Sequence, residues 1–163
     1  MMTYIKIPEI VVDTNAILKQ VLSAEESEWE RLDWGQHILR TQDYSFVCAN
    51  FSEHINLYAT PAMIMRFGSG TGLPIHKDNL RKAVIQIPIS ENCKYTPTYF
   101  YDDGRQYSSK IEWVDNSAWM FDTHSFHSVE NNSNENRYMM YIPFFKQSYT
   151  ELLNLYNSGI FFK

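Results

Sequence analysis

The sequence has few cysteines and no long apolar run, and each absence excludes a class of protein. Its two cysteines, Cys48 and Cys93, stand far apart with no C-x-x-C spacing, which argues against a disulfide framework and favours a reducing compartment. No apolar stretch reaches the ~20 residues that span a bilayer. The first residues, MMTYIKIPEIVVD, lack the basic start, apolar run and cleavage site of a secretory signal. We therefore expect a cytoplasmic protein without a membrane segment.

The chain is also short of positive charge and of linker-like segments. Lys and Arg number 14 against 19 Asp and Glu, and the formal net charge is -5. A duplex nucleic acid partner would require clustered Lys and Arg, so we expect none. No repeat and no Pro-, Gly- or Ser-rich run divides the chain. We predict a single domain over residues 1–163, with N-terminal support (1–60), a core (61–145) and a C-terminal helix (146–163).

From about Pro61 onward, short β-prone segments alternate with turn-like segments such as GSGTG and DDG. Eight candidate strands share this character: AMIMRF, LPIHKD, KAVIQIPI, TPTYFY, RQYSSKIEW, SAWMFD, FHSVEN and RYMMYIPF. So many short strands indicate a β-sandwich or barrel, and the spacing leaves no room for the crossover helices of a parallel sheet. The fold class that we predict is mainly β with flanking helices.

The flanking segments supply the helices. YIKIPEIVV is predicted as a strand, and Asp13 or Thr14 is expected to cap a helix over NAILKQVL. The acidic run AEESEWERLDWG is interpreted as a solvated helix end and turn. YTELLNLYNSG predicts a final helix that ends at Gly159.

The segment RKAVIQIPIS distinguishes the two faces of a central strand. Its odd-numbered residues, from Ala83 to Ile89, are small or aliphatic and are expected to meet the helices. The even-numbered residues, including Gln86, would then face into the barrel. Because an unpaired buried amide is costly, Gln86 either bonds to a neighbouring strand or contacts a polar ligand.

The segment LPIHKDN places a histidine and an aspartate two positions apart. Alternate strand residues share a face, so His76 and Asp78 are able to reach one metal ion. Of the five histidines, His124 and His127 follow a later strand, far from His76 in sequence. A His-x-Asp pair with one distant histidine is the two-histidine, one-carboxylate set of non-haem Fe(II) oxygenases.

Arg137 lies ten residues after His127 and opens the strand RYMMYIPF. An arginine at the start of an inward-facing strand, near a metal, is suited to hold a carboxylate by two parallel hydrogen bonds. The alternative is a surface salt bridge, which is the commoner fate of a single arginine.

This order of His-x-Asp pair, later histidine and arginine resembles the 2-oxoglutarate- and Fe(II)-dependent oxygenases, whose double-stranded β-helix (jelly-roll or cupin-like) barrel has eight core strands. The resemblance covers roughly Pro61 to Phe145. Within that superfamily, EWVDNSAWMFDTHSFHSVENNSNENRYMMYI is similar to the aspartyl/asparaginyl β-hydroxylases and their lipid A hydroxylase relatives. There a Phe-Asp pair precedes the metal histidine and an arginine follows it ten residues later. The approach MRFGSGTGLPIHKDN resembles prolyl hydroxylases.

The resemblance implies a role for each matched residue. His76, Asp78 and His127 would bind Fe(II), and Arg137 would pair with the distal carboxylate of the cosubstrate 2-oxoglutarate. Gln86 falls where the β-hydroxylases have a histidine that touches the cosubstrate, and would act there as a neutral donor.

Two positions depart from the relatives. Met139 stands where many have Ser or Thr, and Phe67 stands where prolyl hydroxylases tend to have Tyr. Each departure removes a hydroxyl from the cosubstrate pocket, so Arg137 would carry more of the affinity.

His124 is the rival of His127 for the third ligand position. The match of FHSVEN and the ten-residue step to Arg137 favour His127. His124 then either faces the substrate or lies in a turn that Asp122 caps. The remaining histidines are interpreted as structural.

The retained carboxylate of Asp78 favours hydroxylation, because related halogenases carry a small residue there. The resemblance implies a dioxygenase that uses O2 and 2-oxoglutarate to hydroxylate a small molecule, an amino acid or a peptide side chain, releasing succinate and CO2. Two alternatives stay open: a cupin-like metal-binding or non-catalytic β-barrel module, and a metal-dependent cupin enzyme that does not use 2-oxoglutarate. Without a dicarboxylate to hold, Arg137 should form a salt bridge.

Overall fold

The structure is a computed structural model and describes residues 3–163. Within them it has two α-helices, α1 (Thr14–Ser23) and α2 (Tyr149–Asn157), and three short 3-10 helices (Glu26–Glu28, Ser45–Cys48 and Glu91–Tyr95). Neither α-helix has the length and apolar character to pass through a membrane. The strands are β1 (Tyr4–Lys6), β2 (Trp29–Arg31), β3 (His37–Leu39), β4 (Met63–Phe67), β5 (Gly72–His76), β6 (Ala83–Pro88), β7 (Thr98–Tyr101), β8 (Tyr107–Ile111), β9 (Trp119–Asp122), β10 (Phe126–Glu130) and β11 (Arg137–Phe144).

The strands form two antiparallel sheets. One has the order β1-β9-β6-β11-β4-β3-β2 and the other the order β5-β10-β7-β8. From β4 to β11 the chain crosses to the other sheet at each connection except the β7–β8 hairpin, which is the topology of a double-stranded β-helix. The eight predicted core strands are β4 to β11, and the predicted fold class is confirmed.

The two faces of β6 divide the core as the alternation predicts. Its odd-numbered residues pack in one apolar cluster with Ile17 and Val21 of α1 and Leu152 of α2. Val84, on the other face, joins a second cluster with Phe100 and Phe121. This second cluster fills the barrel interior, where β6 also places Gln86.

Local side chains fix the ends of both helices. Asp13 caps α1, because its Oδ1 accepts a hydrogen bond of 2.9 Å from the Ala16 N–H. Ser148 and Glu151 form a reciprocal capping box at the start of α2. Gly159 follows α2 with a φ of 72°, a left-handed conformation that favours glycine.

The N-terminal region differs from the sequence interpretation in two places. The predicted strand YIKIPEIVV is limited to β1, because Pro8 has no N–H to donate to a ladder. The acidic run is not a helix end: it forms a 3-10 turn and then β2, which pairs with β3 at the edge of the larger sheet. Buried Trp29 and the Arg66–Glu26 ion pair anchor this hairpin, and its three-residue strands are too short to show an alternating pattern.

Gly72 should be necessary for the pairing of β5 with β10. A Cβ at this position would lie 2.2 Å from the Val129 carbonyl oxygen and 2.9 Å from the Glu130 Cα. We expect Gly72→Ala to lower the free energy of unfolding by about 1–3 kcal/mol, the usual range for overpacking, as measured by urea denaturation. Gly68→Ala is the control, because its Cβ would have no neighbour closer than 3.7 Å. Equal midpoints for the two variants would contradict this prediction.

Candidate metal centre

Three of the predicted site residues lie together at one end of the smaller sheet. The possible ligand atoms of His76, Asp78 and His127 all lie within 4.8 Å of one another. Antiparallel pairing of β10 with β5 puts His127 directly opposite His76, and their ring centroids are 4.3 Å apart. Asp78 follows the end of β5 and returns to the same side. Residues far apart in sequence thus form a two-histidine, one-carboxylate set.

Backbone carbonyls orient both imidazoles. The Nδ1 of His76 donates to the Pro74 oxygen at 2.7 Å, and the Nδ1 of His127 donates to the Ser125 oxygen at 2.9 Å. In each case the partner lies two residues earlier in the chain. A proton on Nδ1 leaves Nε2 with a free lone pair, which is the form that binds a metal ion.

Asp78 is held from three sides. Its Oδ1 is 3.4 Å from the His76 Nε2, and its Oδ2 accepts a 2.6 Å hydrogen bond from the Arg81 Nε. Its backbone N–H donates to the Thr123 carbonyl at 2.9 Å. Burial alone would raise the pKa of Asp78, but the hydrogen bond with His76 and the charge of Arg81 outweigh burial and lower the pKa to about 2. The carboxylate is therefore ionised at any physiological pH.

The two histidines differ in their affinity for protons. Burial, together with the neighbouring charge of His76, lowers the pKa of His127 to about 4. Burial also opposes the charging of His76, but the hydrogen bond with Asp78 and the Pro74 carbonyl outweigh it and raise the pKa of His76 above its ordinary value. His127 is thus neutral near pH 7, and His76 takes the first proton as the pH falls.

Arg137 lies in the barrel interior at the start of β11. Its side chain is fully buried, and its Cζ is 5.4 Å from the centroid of the Phe67 ring. The Nε and both Nη atoms form no hydrogen bond of ordinary geometry and no ion pair among residues 3–163. The Tyr141 side chain is the polar neighbour: burial raises the pKa of its hydroxyl, and the charge of Arg137 opposes that rise. A buried, unpaired guanidinium is strongly unfavourable, so this pocket is suited to receive an anion.

Gln86 is the second polar side chain in this interior. It is 4% exposed, and its Oε1 lacks a hydrogen-bond partner within the described residues. Its Cα is paired with that of Tyr141, which lies four residues after Arg137 on the same face of β11. Met139, between those two, and Phe67 opposite Arg137 contribute only apolar atoms.

His124 lies outside the cluster. It is exposed in the turn between β9 and β10, and its backbone N–H donates to the Asp122 Oδ1 at 2.9 Å. The Ser125 hydroxyl donates to the Asp122 Oδ2 at 3.2 Å, so Asp122 caps this turn as the sequence analysis anticipates. Substrate contact by His124 stays a prediction.

The family of the chain is evident over most of its length. The profile of aspartyl/asparaginyl β-hydroxylases matches residues 7–147. The chain belongs to this family. No curated protein sequence matches the chain.

Solved structures share the fold of this β-hydroxylase family member at low sequence identity. A Pseudomonas putida prolyl-4-hydroxylase superposes with a TM-score of 0.64 at 9% identity, covering 90% of this chain and 94% of the other. A prolyl hydroxylase from Trichoplax adhaerens, in complex with a peptide fragment of the hypoxia inducible factor oxygen degradation domain, gives 0.62 at 16% identity, covering 88% and 83%. The α-ketoglutarate-dependent carbocyclase SnoK gives 0.58 at 12% identity, covering 86% and 78%.

Several residues around the cluster of His76, Asp78 and His127 are not predicted as site residues from the sequence. A cavity of about 230 Å³ next to the cluster is lined in part by Trp34, Gln36, Arg81 and Tyr141. The Trp34 ring lies nearly parallel to the His76 imidazole, with centroids 6.4 Å apart. Two of these residues carry a signal in the sequence: Arg81 follows the aspartate by three positions, and Tyr141 shares the inward face of its strand. Trp34 and Gln36 carry none, because they lie in the β2–β3 turn.

His127→Ala should abolish tight binding of a divalent metal, because it removes one of the three candidate ligands. Isothermal titration with Co(II) should show at least a 100-fold loss of affinity, the upper range for changes around such sites. His124→Ala is the matched control and should bind like the wild type. Loss of binding in His124→Ala, with binding retained in His127→Ala, would exchange the roles of the two histidines.

Metal binding should weaken on the acid side through His76. A protonated imidazole has no lone pair to offer, and the pKa of His76 is raised above 6.5. Co(II) affinity should therefore begin to fall before the pH reaches 6.5, while His127, with a pKa of about 4, contributes only at much lower pH. Titrations over a pH series, in buffers of different ionisation enthalpy, measure both the affinity and the protons released. Constant affinity down to about pH 5 would contradict the raised pKa of His76.

Proposed function

We propose that this chain is an Fe(II)- and 2-oxoglutarate-dependent dioxygenase. The reaction that we favour is hydroxylation of a small molecule, an amino acid or a peptide side chain, with release of succinate and CO2. The observation that carries the proposal is the buried guanidinium of Arg137. Its nitrogens lack partners in the same barrel that holds the cluster of His76, Asp78 and His127.

The donor set fits Fe(II). Two neutral imidazole nitrogens and one carboxylate oxygen are the ligands that non-haem Fe(II) oxygenases use, and three protein ligands leave coordination positions open. The hydrogen bonds on both Nδ1 atoms hold the rings ready for this role without a metal. Bound Fe(II), with 2-oxoglutarate and O2, would supply the oxidation of an unactivated C–H bond.

The interior fits 2-oxoglutarate. The Arg137 guanidinium would pair with the distal carboxylate, since this supplies the counter-charge and the acceptors that the pocket lacks. Gln86 would contribute a hydrogen bond from β6. With Met139 and Phe67 in place of hydroxyl-bearing residues, Arg137 would provide most of the affinity. Apolar walls such as Met65 and Leu73 would limit access of water to the site.

The chain's carboxylate ligand supports hydroxylation over halogenation. Asp78 fills the position that related halogenases leave to a small residue, and its low pKa keeps it charged.

The free, buried thiols of Cys48 and Cys93 agree with the reducing, cytoplasmic compartment that the sequence predicts. We also keep the proposal that residues 1–163 act as one domain.

A groove of about 630 Å³ would give the substrate a route to the cluster of His76, Asp78 and His127. It adjoins the cavity next to the cluster, and both are lined by Trp34, Gln36, Asp78 and Arg81. Its outer wall includes Leu80, which is 78% exposed. A side chain carried on a larger molecule would reach the cluster from this groove, as would a free small molecule.

A cupin-like module that does not use 2-oxoglutarate is less well supported. Without a dicarboxylate, Arg137 should pair with an acidic side chain. Within residues 3–163 it pairs with none. The unpaired guanidinium favours the oxygenase over both cupin alternatives.

The proposal is tested by anaerobic titration of the Fe(II)-loaded protein with 2-oxoglutarate. The weak visible band of a chelated keto acid should appear in the wild type and be absent in His127→Ala. Arg137→Met should weaken 2-oxoglutarate binding about 100-fold, because it removes two charge-assisted hydrogen bonds. The same variant should unfold at equal or higher urea concentration than the wild type in the metal-free state, since it removes an unpaired buried charge.

Arg66→Met is the control for this titration. It also removes an arginine, but that arginine pairs with Glu26 and stacks on Trp29, away from the cluster. It should lower stability and leave 2-oxoglutarate affinity unchanged. The absence of a band in folded, metal-loaded wild type would reject the proposal in favour of the cupin alternatives.

A further inference from the structure

The carboxylate of Asp78 is shared between two partners. Its Oδ1 faces the cluster, 3.4 Å from the His76 Nε2. Its Oδ2 is engaged by the Arg81 Nε at 2.6 Å. One oxygen is therefore available to a metal ion, and the other already accepts a hydrogen bond from Arg81.

Arg81 is itself fixed on two sides. Its guanidinium lies over the ring of Tyr141, with 5.5 Å from Cζ to the ring centroid. Its backbone carbonyl accepts a hydrogen bond from the Thr123 hydroxyl. The carbonyl of Thr123 in turn accepts from the Asp78 N–H at 2.9 Å. Thr123 is fully buried, so the turn that carries Asp78 and Arg81 is tied at both ends to the turn preceding β10.

This pair differs from an ordinary ion pair between nearby surface residues. Such pairs contribute about 0.2–1 kcal/mol or nothing measurable. Here the two side chains are only 19% and 14% exposed, and the carboxylate is the one that the proposed metal centre requires. Arg81 also lines both the inner cavity and the outer groove, so it stands at the opening of the site.

We propose that Arg81 is a positioning residue that keeps Asp78 a one-oxygen metal ligand. The inference rests on the proposed function. A carboxylate binds a metal ion through one oxygen or through both, and Arg81 holds the second oxygen in a hydrogen bond. His76, His127 and one oxygen of Asp78 would hold the metal ion, and the two chelating oxygens of 2-oxoglutarate would bring the number of donor atoms to five. A second oxygen from Asp78 would then compete with O2 for the metal ion.

The test compares Arg81→Met and Arg81→Lys with wild type. Co(II) affinity is measured by titration, and the coordination of Asp78 by infrared difference spectra with and without Co(II), in protein carrying 13C-labelled aspartate. The separation between the two carboxylate stretching bands distinguishes one-oxygen from two-oxygen ligation. Asp78→Asn identifies which bands belong to Asp78.

We expect Arg81→Met to bind Co(II) about 10- to 100-fold more weakly and to show the narrow band separation of a two-oxygen carboxylate. Arg81→Lys retains the positive charge but lacks the Nε that donates to the Asp78 Oδ2. Its Co(II) affinity should therefore be closer to the wild-type value than its band separation is. Arg66→Met is the matched control for Arg81→Met, because it also removes an arginine that pairs with a carboxylate and stacks on an aromatic ring. It should leave both measurements at the wild-type values.

Wild-type Co(II) affinity and band separation in Arg81→Met would overturn the inference while leaving the proposed function intact. If Arg81→Met does not fold, an unchanged band separation in Arg81→Lys overturns it equally. A folded wild type that binds no Co(II) would overturn the proposed function and this inference together. Loss of Co(II) affinity without any change in band separation would make Arg81 a determinant of affinity alone, and would also overturn the inference.

Discussion

The site depends on the register with which β10 pairs with β5. In this register His127 faces His76, and a shift of one residue would turn either imidazole to the opposite face of the sheet. The close approach of the Gly72 backbone to Val129 at the other end of the pair is compatible only with a residue that has no Cβ. The pairing of β5 with β10 is therefore both one of the pairings that build the barrel and the one that brings the candidate ligands together.

The barrel interior holds a buried positive charge, which is unfavourable in the free protein and would attract an anionic ligand. Arg137 is fully buried without a counter-ion among the described residues, and Gln86 shares its interior with an unpaired oxygen. A stability optimum would place apolar groups at both positions. Keeping them polar lowers the stability of the ligand-free protein. A bound dicarboxylate would accept hydrogen bonds from Arg137 and so restore by mass action the part of the stability that the unpaired guanidinium costs.

The sequence predicts most of the core and part of the site, for different reasons. β4 to β11 follow from alternation and turn residues. The His-x-Asp spacing and the ten-residue step from His127 to Arg137 select the candidate ligands, although Asp78 lies beyond the end of β5 and not within the strand. The β2–β3 hairpin is missed because its strands span three residues each, too short for a period, and its acidic composition is typical of solvated segments. Arg81 is missed although it follows Asp78 by three positions, because that spacing within a turn does not by itself show that the two side chains meet.

Both imidazoles are oriented by carbonyl groups of the main chain at positions 74 and 125, and not by acidic side chains. Any residue supplies such a carbonyl, so the side chains at these two positions are under little constraint from the metal centre. Substitutions there should therefore leave the rings in place, provided that the local backbone path is preserved. Inheritance of this site is in part inheritance of a backbone shape, which a comparison of side chains does not register.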